Sequence, residues 1–311
     1  MVEAVPHLAG AGILRLGQVI PVAVTALRRG LRRGVRPGAL LKHAALLAAV
    51  FLSIAPFLWL LSIALRPVTE TYIVPMPLLP SSLTFTHFLD MLLVAPLMAV
   101  YYRNSFVITG ASVAAVVAIA CLAGYAFARL HFPAREPLFW IVVTAMFLPA
   151  AIALPPLYVL LSNLNLLDTW LGLILPYTGW YLPVSMFIMR GVYQAIPREL
   201  EDAARLDGAS AWQIFWRIML PLGASGAIVV AILAFVPIWG EYLFSFTFTS
   251  TTNSMPMSVG IRFFEPSPAT GKYTFNVAAA AALVMFLPSM LVYVGLQKWF
   301  TKGLMEGALK F

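Results

Sequence analysis

A chain of 311 residues that is 61% hydrophobic and only 10% charged lies far from a soluble domain, in which roughly half the residues are apolar and about a quarter charged; it has too little polar surface to face water. Its single cysteine, Cys121, excludes an intrachain disulfide, a thiolate metal cluster and a paired redox motif. The net charge of +8 admits nucleic acid or an anionic surface as partner, but the basic residues stand at the ends of apolar segments, which is the pattern of a membrane protein and argues against nucleic acid.

In chain order, the first strongly apolar run begins near Ala44. That is beyond the first ~15–30 residues where a cleavable secretory signal lies, so the N-terminus is expected to be retained. Upstream, residues 8–27 carry Ile13, Leu16, Ile20 and Val24 at helical spacing, interrupted by Arg15, Gln18 and Pro21. They read as an interfacial helix or a loose extension, held to anionic headgroups by the arginines that follow. Residues 1–43 are therefore expected to be a cytoplasmic extension and residues 44–311 a transmembrane domain.

A helix needs about 20 mostly apolar residues to cross a bilayer, because every backbone N–H and C=O must find its partner internally. Six uncharged runs qualify: 44–65, 104–128, 137–161, 170–189, 222–240 and 277–296. The expected fold class is all-α, a polytopic membrane protein with six transmembrane helices. With a cytoplasmic N-terminus, sixteen of the 20 Lys and Arg residues fall in the inner connections, leaving Arg66, Arg103, Arg262 and Lys272 outside. The positive-inside rule then places both termini in the cytoplasm. A seventh span within residues 8–27 would reverse that favourable count.

Details of the spans add further expectations. In the second, Gly110, Ala111, Ala114, Ala115 and Ala118 recur at the spacing that lets helices approach closely. In the third, Pro149, Pro155 and Pro156 each remove a backbone donor and predict a bend. The outer connection 66–103 holds Pro67, Pro75, Pro77, Pro80 and Pro96 and reads as stiff and extended; residues 250–276 read as a second long outer loop with Pro256, Pro266, Pro268 and Gly271 as turn formers.

Between Arg190 and Pro221 the chain reads RGVYQAIPRELEDAARLDGASAWQIFWRIMLP. Pro197 suits a first helical turn, and Glu199, Glu201 and Asp202 sit where the helix dipole favours negative charge. Gly208, just after Asp207, then interrupts the helix. Beyond them Ala209, Trp212, Phe215, Trp216 and Met219 share one face at spacings of three and four, predicting a second, amphipathic helix. Two short helices around a glycine make a compact knob. The chain has no G-x-x-x-x-G-K-[ST] phosphate loop of its own, so such a knob would take force from a separate nucleotide-driven partner. The bland alternative is a solvated hairpin.

This segment resembles the E-A-A-x-x-x-G-x9-I-x-L-P signature of inner-membrane permeases of binding-protein-dependent ABC importers. Asp202, Ala203, Ala204, Gly208, Ile218, Leu220 and Pro221 occupy its positions, with Asp202 in place of the usual glutamate. The string ELEDAARLDGAS is similar to the version in carbohydrate permeases related to the second membrane subunit of the maltose importer. Likeness continues through RNSFVITGASVAAVVAIACLAGYAFARLHF, FLPAAIALPPLYVLLSNLNLLDTWLGLILPY and QKWFTKGLMEGALK. The resemblance implies a type I ABC importer permease fold in a bacterial or archaeal cytoplasmic (inner) membrane. It also implies a sister permease subunit, two ATPase subunits that bind ATP and Mg, and an extracytoplasmic solute-binding protein. This chain is then expected to bind no cofactor, to carry out no catalysis and to pass a sugar or related polyol. Glycerol phosphate is the alternative cargo, and a gradient-driven secondary transporter the alternative class.

Glu241 is the one carboxylate within or at the edge of a span, and a charge at membrane depth is a site candidate by default. With Trp239 or Tyr242 it offers the hydrogen-bonding and stacking that a sugar uses; paired with Arg262 it would instead be a boundary charge. Tyr177 and Trp180 in the fourth span face either the same path or lipid. His7, His43, His87 and His131 are scattered, with no metal-ligand spacing.

Overall fold

The structure, a computed structural model, describes residues 37–94, 96–264 and 274–308; the expected interfacial segment 8–27 and the loop prolines 266 and 268 lie outside these. Among the described residues every regular element is helical. Four helices are long and apolar enough to cross a membrane, and six spans result when each of two sharply bent helix pairs is taken as one.

The chain divides after Trp59. In the first unit the described part is most of α1 (Pro37–Leu65), the first span. Within it the Ser53 hydroxyl donates to the Ala49 carbonyl at 2.8 Å.

The second unit opens with the last turn of α1. Its terminal carbonyls, which no helical N–H can reach, are met by buried Asn276, whose amide donates to Ile63 O at 2.8 Å and Arg66 O at 2.9 Å. Short helices α2 (Val68–Thr71) and α3 (Thr86–Val94) interrupt the connection that the prolines suggested would be extended. The second span, α4 (Pro96–Arg129), starts well before residue 104. Pro96 therefore belongs to a helix rather than to the loop, consistent with proline's preference for a first turn, where its missing N–H costs nothing.

The buried seam of α4 is Ile108, Ser112, Val116, Ala120, Gly124 and Ala128, one residue every fourth. Gly110, Ala111, Ala114 and Ala118 are exposed, so the expected small-residue packing stripe faces away from the chain's own core. Close approach happens one stripe over. A Cβ on Gly124 would lie 2.6 Å from Met189 Cβ on α7 (Leu171–Ala195), the fourth span.

The third span breaks into α5 (Arg135–Thr144), a 3-10 turn at Ala145–Phe147, and α6 (Ala150–Asn163), bent by 105°. Pro149 makes the break. It restricts the residue before it, and Leu148 is extended at ψ 127°. Pro155 and Pro156 lie inside α6, away from the 105° break.

After α7 come α8 (Glu199–Leu206), α9 (Ala211–Ile214), a π-helical turn at Phe215–Met219 and α10 (Leu220–Leu222). A bend of 71° at Gly223 leads into α11 (Ala224–Gly240), the fifth span. Helices α12 (Leu243–Phe248) and α13 (Met257–Gly260) and a 3-10 turn at Ile261–Phe264 follow, before α14 (Phe275–Ala308), the last span. The main core lies among α4, α7, α11 and the α8–α10 segment, around Tyr125, Tyr177, Tyr193, Phe215, Met219, Val230 and Ile238. A second cluster gathers Met91, Tyr101, Met257, Phe264 and Val277.

Candidate functional site

The knob expected between α7 and α11 is present, and local chemistry sets its shape. Helix α8 carries Glu199, Glu201 and Asp202 in its first turn; Pro197 precedes the helix instead of opening it, two residues before Glu199. Gly208 ends it at φ +81°, the left-handed region in which a Cβ is strained. Around that glycine, Ala209 N–H bonds to Ala204 O at 2.9 Å and Gly208 N–H to Arg205 O at 3.0 Å. This paired closure satisfies two of the helix's last carbonyls. The next helix starts at once. The Ser210 hydroxyl accepts from Gln213 N–H at 3.3 Å while the Gln213 side chain accepts from Ser210 N–H at 2.8 Å, a reciprocal capping box. Between the two devices only Asp207, Gly208, Ala209 and Ser210 are spent, so the corner is tight.

Two faces result. Outward lie Asp202, Ala203, Leu206, Asp207, Gly208, Trp212 and Trp216, with Leu206 91% exposed and Trp212 61% exposed. Inward lie Glu201, Ile214, Phe215 and Met219, all buried, with Ala204 and Ile218 partly so. The face expected to contain Trp212, Phe215, Trp216 and Met219 together is thus split. The inward stripe is Ile214, Phe215, Ile218 and Met219, at ordinary helical spacing, which turns Trp212 and Trp216 to the other side; a π turn then precedes Pro221. A proline ring clashes with the carbonyl four residues back, and Leu220 N–H reaches five residues to Phe215 O, which inserts one residue into the helical register.

Glu201 on the inward face meets Arg129 at the end of α4, with Nε 3.0 Å from Glu201 Oε1 and both side chains about 95% buried (4% and 5% exposed). The Arg129 guanidinium also donates to Tyr193 O in the last turn of α7, at 2.5 Å, and to Ile196 O just past it. Close by, Arg190 Nη2 lies 2.5 Å from Glu136 Oε1 and its guanidinium covers the Phe139 ring at 3.9 Å. Arginines that the sequence reading counted only for topology therefore tie α4, α5, α7 and α8 together. A Tyr125–Arg129 pair one turn apart was the available sign.

At the opposite end of these helices, Asp168 stands at φ +59° between α6 and α7. Its Oδ1 accepts from Ser250 N–H at 2.8 Å, Thr251 N–H at 2.9 Å and the Ser254 hydroxyl. Burial pushes this carboxyl's pKa up, but the hydrogen bonds from Ser254, Ser250 and Thr251 outweigh it and hold the group well below the ordinary aspartate value. Asn104 of α4 donates to Thr252 O at 3.0 Å and Met255 O at 2.9 Å and accepts from the Trp170 indole at 3.2 Å. The connection after α12 is pinned to two spans.

The five residues expected along a substrate path do not form one group. Glu241 occupies the break after α11; Tyr177 Oη donates to its Oε2 at 2.6 Å, and the N–H groups of Phe244 and Ser245 reach its two oxygens at 2.9 and 3.1 Å. It caps α12 through backbone donors that would otherwise be unmet. Arg262 is placed over the rings of Phe246 and Phe263, at 5.1 and 5.0 Å. Trp239 is buried and donates to Met285 O of α14 at 2.9 Å. Tyr242 is 46% exposed and stacks on Phe246. Trp180 meets the Phe244 ring edge-on at 5.5 Å and borders an apolar cavity of about 490 Å³ between α6 and α7.

Helical spans, two of them broken, with a rigid two-helix knob at the end where arginines gather, define the membrane permease class of transport protein. The chain belongs to the family described as binding-protein-dependent transport system inner membrane component, whose model matches residues 116–306. The sulfoquinovosyl glycerol transport system permease protein of Agrobacterium fabrum is 32% identical, over 82% of this chain and 88% of that protein. The trehalose transport system permease protein of Mycobacterium tuberculosis is 31% identical, over 83% and 93%. A chain in the crystal structure of a bacterial ABC transporter that imports the acidic polysaccharide alginate shares the fold, with a TM-score of 0.76 at 21% identity over 86% of this chain and 98% of that one.

Proposed function

We propose that this chain is the membrane-spanning permease subunit of an ATP-driven importer for a sugar or related polyol, working with a sister permease, two ATPase subunits and an extracytoplasmic binding protein. The observation that carries this is the outward face of the knob: an acid pair, Asp202 and Asp207, flanking the bare Leu206 and Trp212, on a corner fixed by Gly208 and the Ser210 cap. An exposed leucine and tryptophan on a polar end of a membrane protein mark a surface that a partner covers, and the ATPase is that partner. ATP and Mg stay on the ATPase. Both termini lie in the cytoplasm, as the sixteen-to-four division of Lys and Arg requires, which puts the knob on the same side as ATP.

The cargo class follows the names of the relatives, which are those of glycoside, disaccharide and glycerol phosphate permeases. Tyr242 and Trp180 are the residues of the expected path with ring surface still available. Glu241 accepts three hydrogen bonds from the fold and caps α12, a structural role that favours the ATP-driven reading over the gradient-driven one.

ATP-dependent uptake into membrane vesicles tests the reading. Leu206→Asp and Gly208→Trp are expected to abolish co-purification of the ATPase and to lower uptake at least about tenfold, with the spans still folded. Uptake that survives ATP depletion and collapses with an uncoupler would replace it with the secondary-transport reading. Competition among trehalose, a longer oligosaccharide and glycerol phosphate identifies the cargo class.

A further inference from the structure

The knob is joined covalently to α7 and α11, yet its buried contacts lead elsewhere. Glu201 sits on the face of α8 turned away from Asp202, Leu206 and Asp207, and it meets Arg129, the last residue of α4, at 3.0 Å. Tyr125, one turn back on α4, directs its hydroxyl to the other Glu201 oxygen at 3.5 Å and packs its ring on Phe215 of the π turn at 5.3 Å. The knob is therefore seated on α4 at two points, one on each of its arms. Arg129 completes the joint by capping Tyr193 O and Ile196 O at the end of α7.

Stability alone does not require charges here. A buried ion pair recovers little more than its desolvation cost, and apolar residues of similar volume hold a fold as well. A pair of this kind differs in how it fails: separation takes from Arg129 its buried counter-charge, leaving it the carbonyls of Tyr193 and Ile196, and leaves Glu201 only a longer contact with Arg205 of its own helix at 3.9 Å, so parting α8 from α4 is costly. We infer that Arg129 and Glu201 are positioning residues that pass displacement of the knob into α4. The inference rests on the coupling reading above, with the outward face of α8 receiving the push and the inward face delivering it to a span that the chain does not reach covalently from the knob.

The test uses the complete transporter in proteoliposomes and reads ATP hydrolysed per cargo molecule imported. Glu201→Gln, close in shape but uncharged, is expected to raise that ratio by about fivefold or more while the ATPase subunits still co-purify; Glu201→Asp, which keeps the charge, is expected to return it to within about twofold of the parent. The double variant Arg129→Met with Glu201→Leu leaves no charge stranded and is expected to raise the ratio as Glu201→Gln does. A parental ratio in either Glu201→Gln or the double variant overturns the inference, as does Glu201→Asp behaving no better than Glu201→Gln. Leu206→Asp serves as the control for the underlying reading: if it keeps its ATPase and its uptake, the coupling role fails, whereas loss of both with a parental ratio in Glu201→Gln removes this inference alone.

Discussion

Asp168 shows how one side chain can hold a long connection. Three donors converge on a single carboxylate oxygen, and hydrogen bonds to a charged acceptor are stronger than neutral ones. Asp168→Asn keeps an acceptor and tolerates the left-handed backbone, so the expected loss is about 1 kcal/mol after discounting for solvent on a partly exposed group. Thermal unfolding in detergent would register it. The folded pKa lies below the ordinary value of about 3.9, so the advantage of Asp168 over Asn is present in full above that pH. It is lost as the medium is acidified from there toward the depressed folded value. A difference between the two proteins that grows on acidification would contradict this assignment.

At the scale of elements, the breaks matter more than the helices. Gly223 lets α10 turn into α11 because a Cβ there would come within 2.7 Å of the Tyr193 ring. Gly223→Val is expected to force that ring aside, destabilise the protein by about 1–3 kcal/mol through overpacking and reduce uptake; unfolding midpoints and uptake equal to those of the parent would show the contact to be unimportant. The spans were legible from residue type alone, since twenty apolar residues in a row admit few structures. The knob was legible from its acidic first turn and Gly208. The division of Trp212 and Trp216 from Phe215 and Met219 was not, because the inward stripe is centred on Ile214 and Ile218 and only the packed neighbours show that. Nor was the seam of α4: small residues at the right spacing occur on two of its faces, and only the neighbour, Met189 against Gly124, selects one. The proposed path fared differently at each residue. Glu241 and Tyr177 were named separately as path candidates; the structure brings them together, with hydrogen bonds to each other and to the start of α12, a backbone arrangement that composition does not reveal.

For the whole molecule, the orientation proposed from charge counting sets which side each end must face. Cys121 is buried, so a cysteine placed elsewhere reports alone. In sealed cells, Leu206→Cys is expected to resist an impermeant maleimide until the membrane is opened, and Asn253→Cys to react from outside. The reverse pattern would invert the protein and end the coupling proposal. The third and fifth spans, bent by 105° and 71°, both lie within the residues 116–306 that match the family.

The contact of Gly124 with Met189 has a further result. With no side chain on Gly124 to hold Met189 off, and with Tyr125 and Tyr193 ring to ring nearby at 5.9 Å, α4 and α7 interlock over that stretch. They are expected to travel as a single plank. Widening of a passage during a transport cycle would then follow another parting line, and the apolar cavity of about 490 Å³ between α6 and α7 offers one.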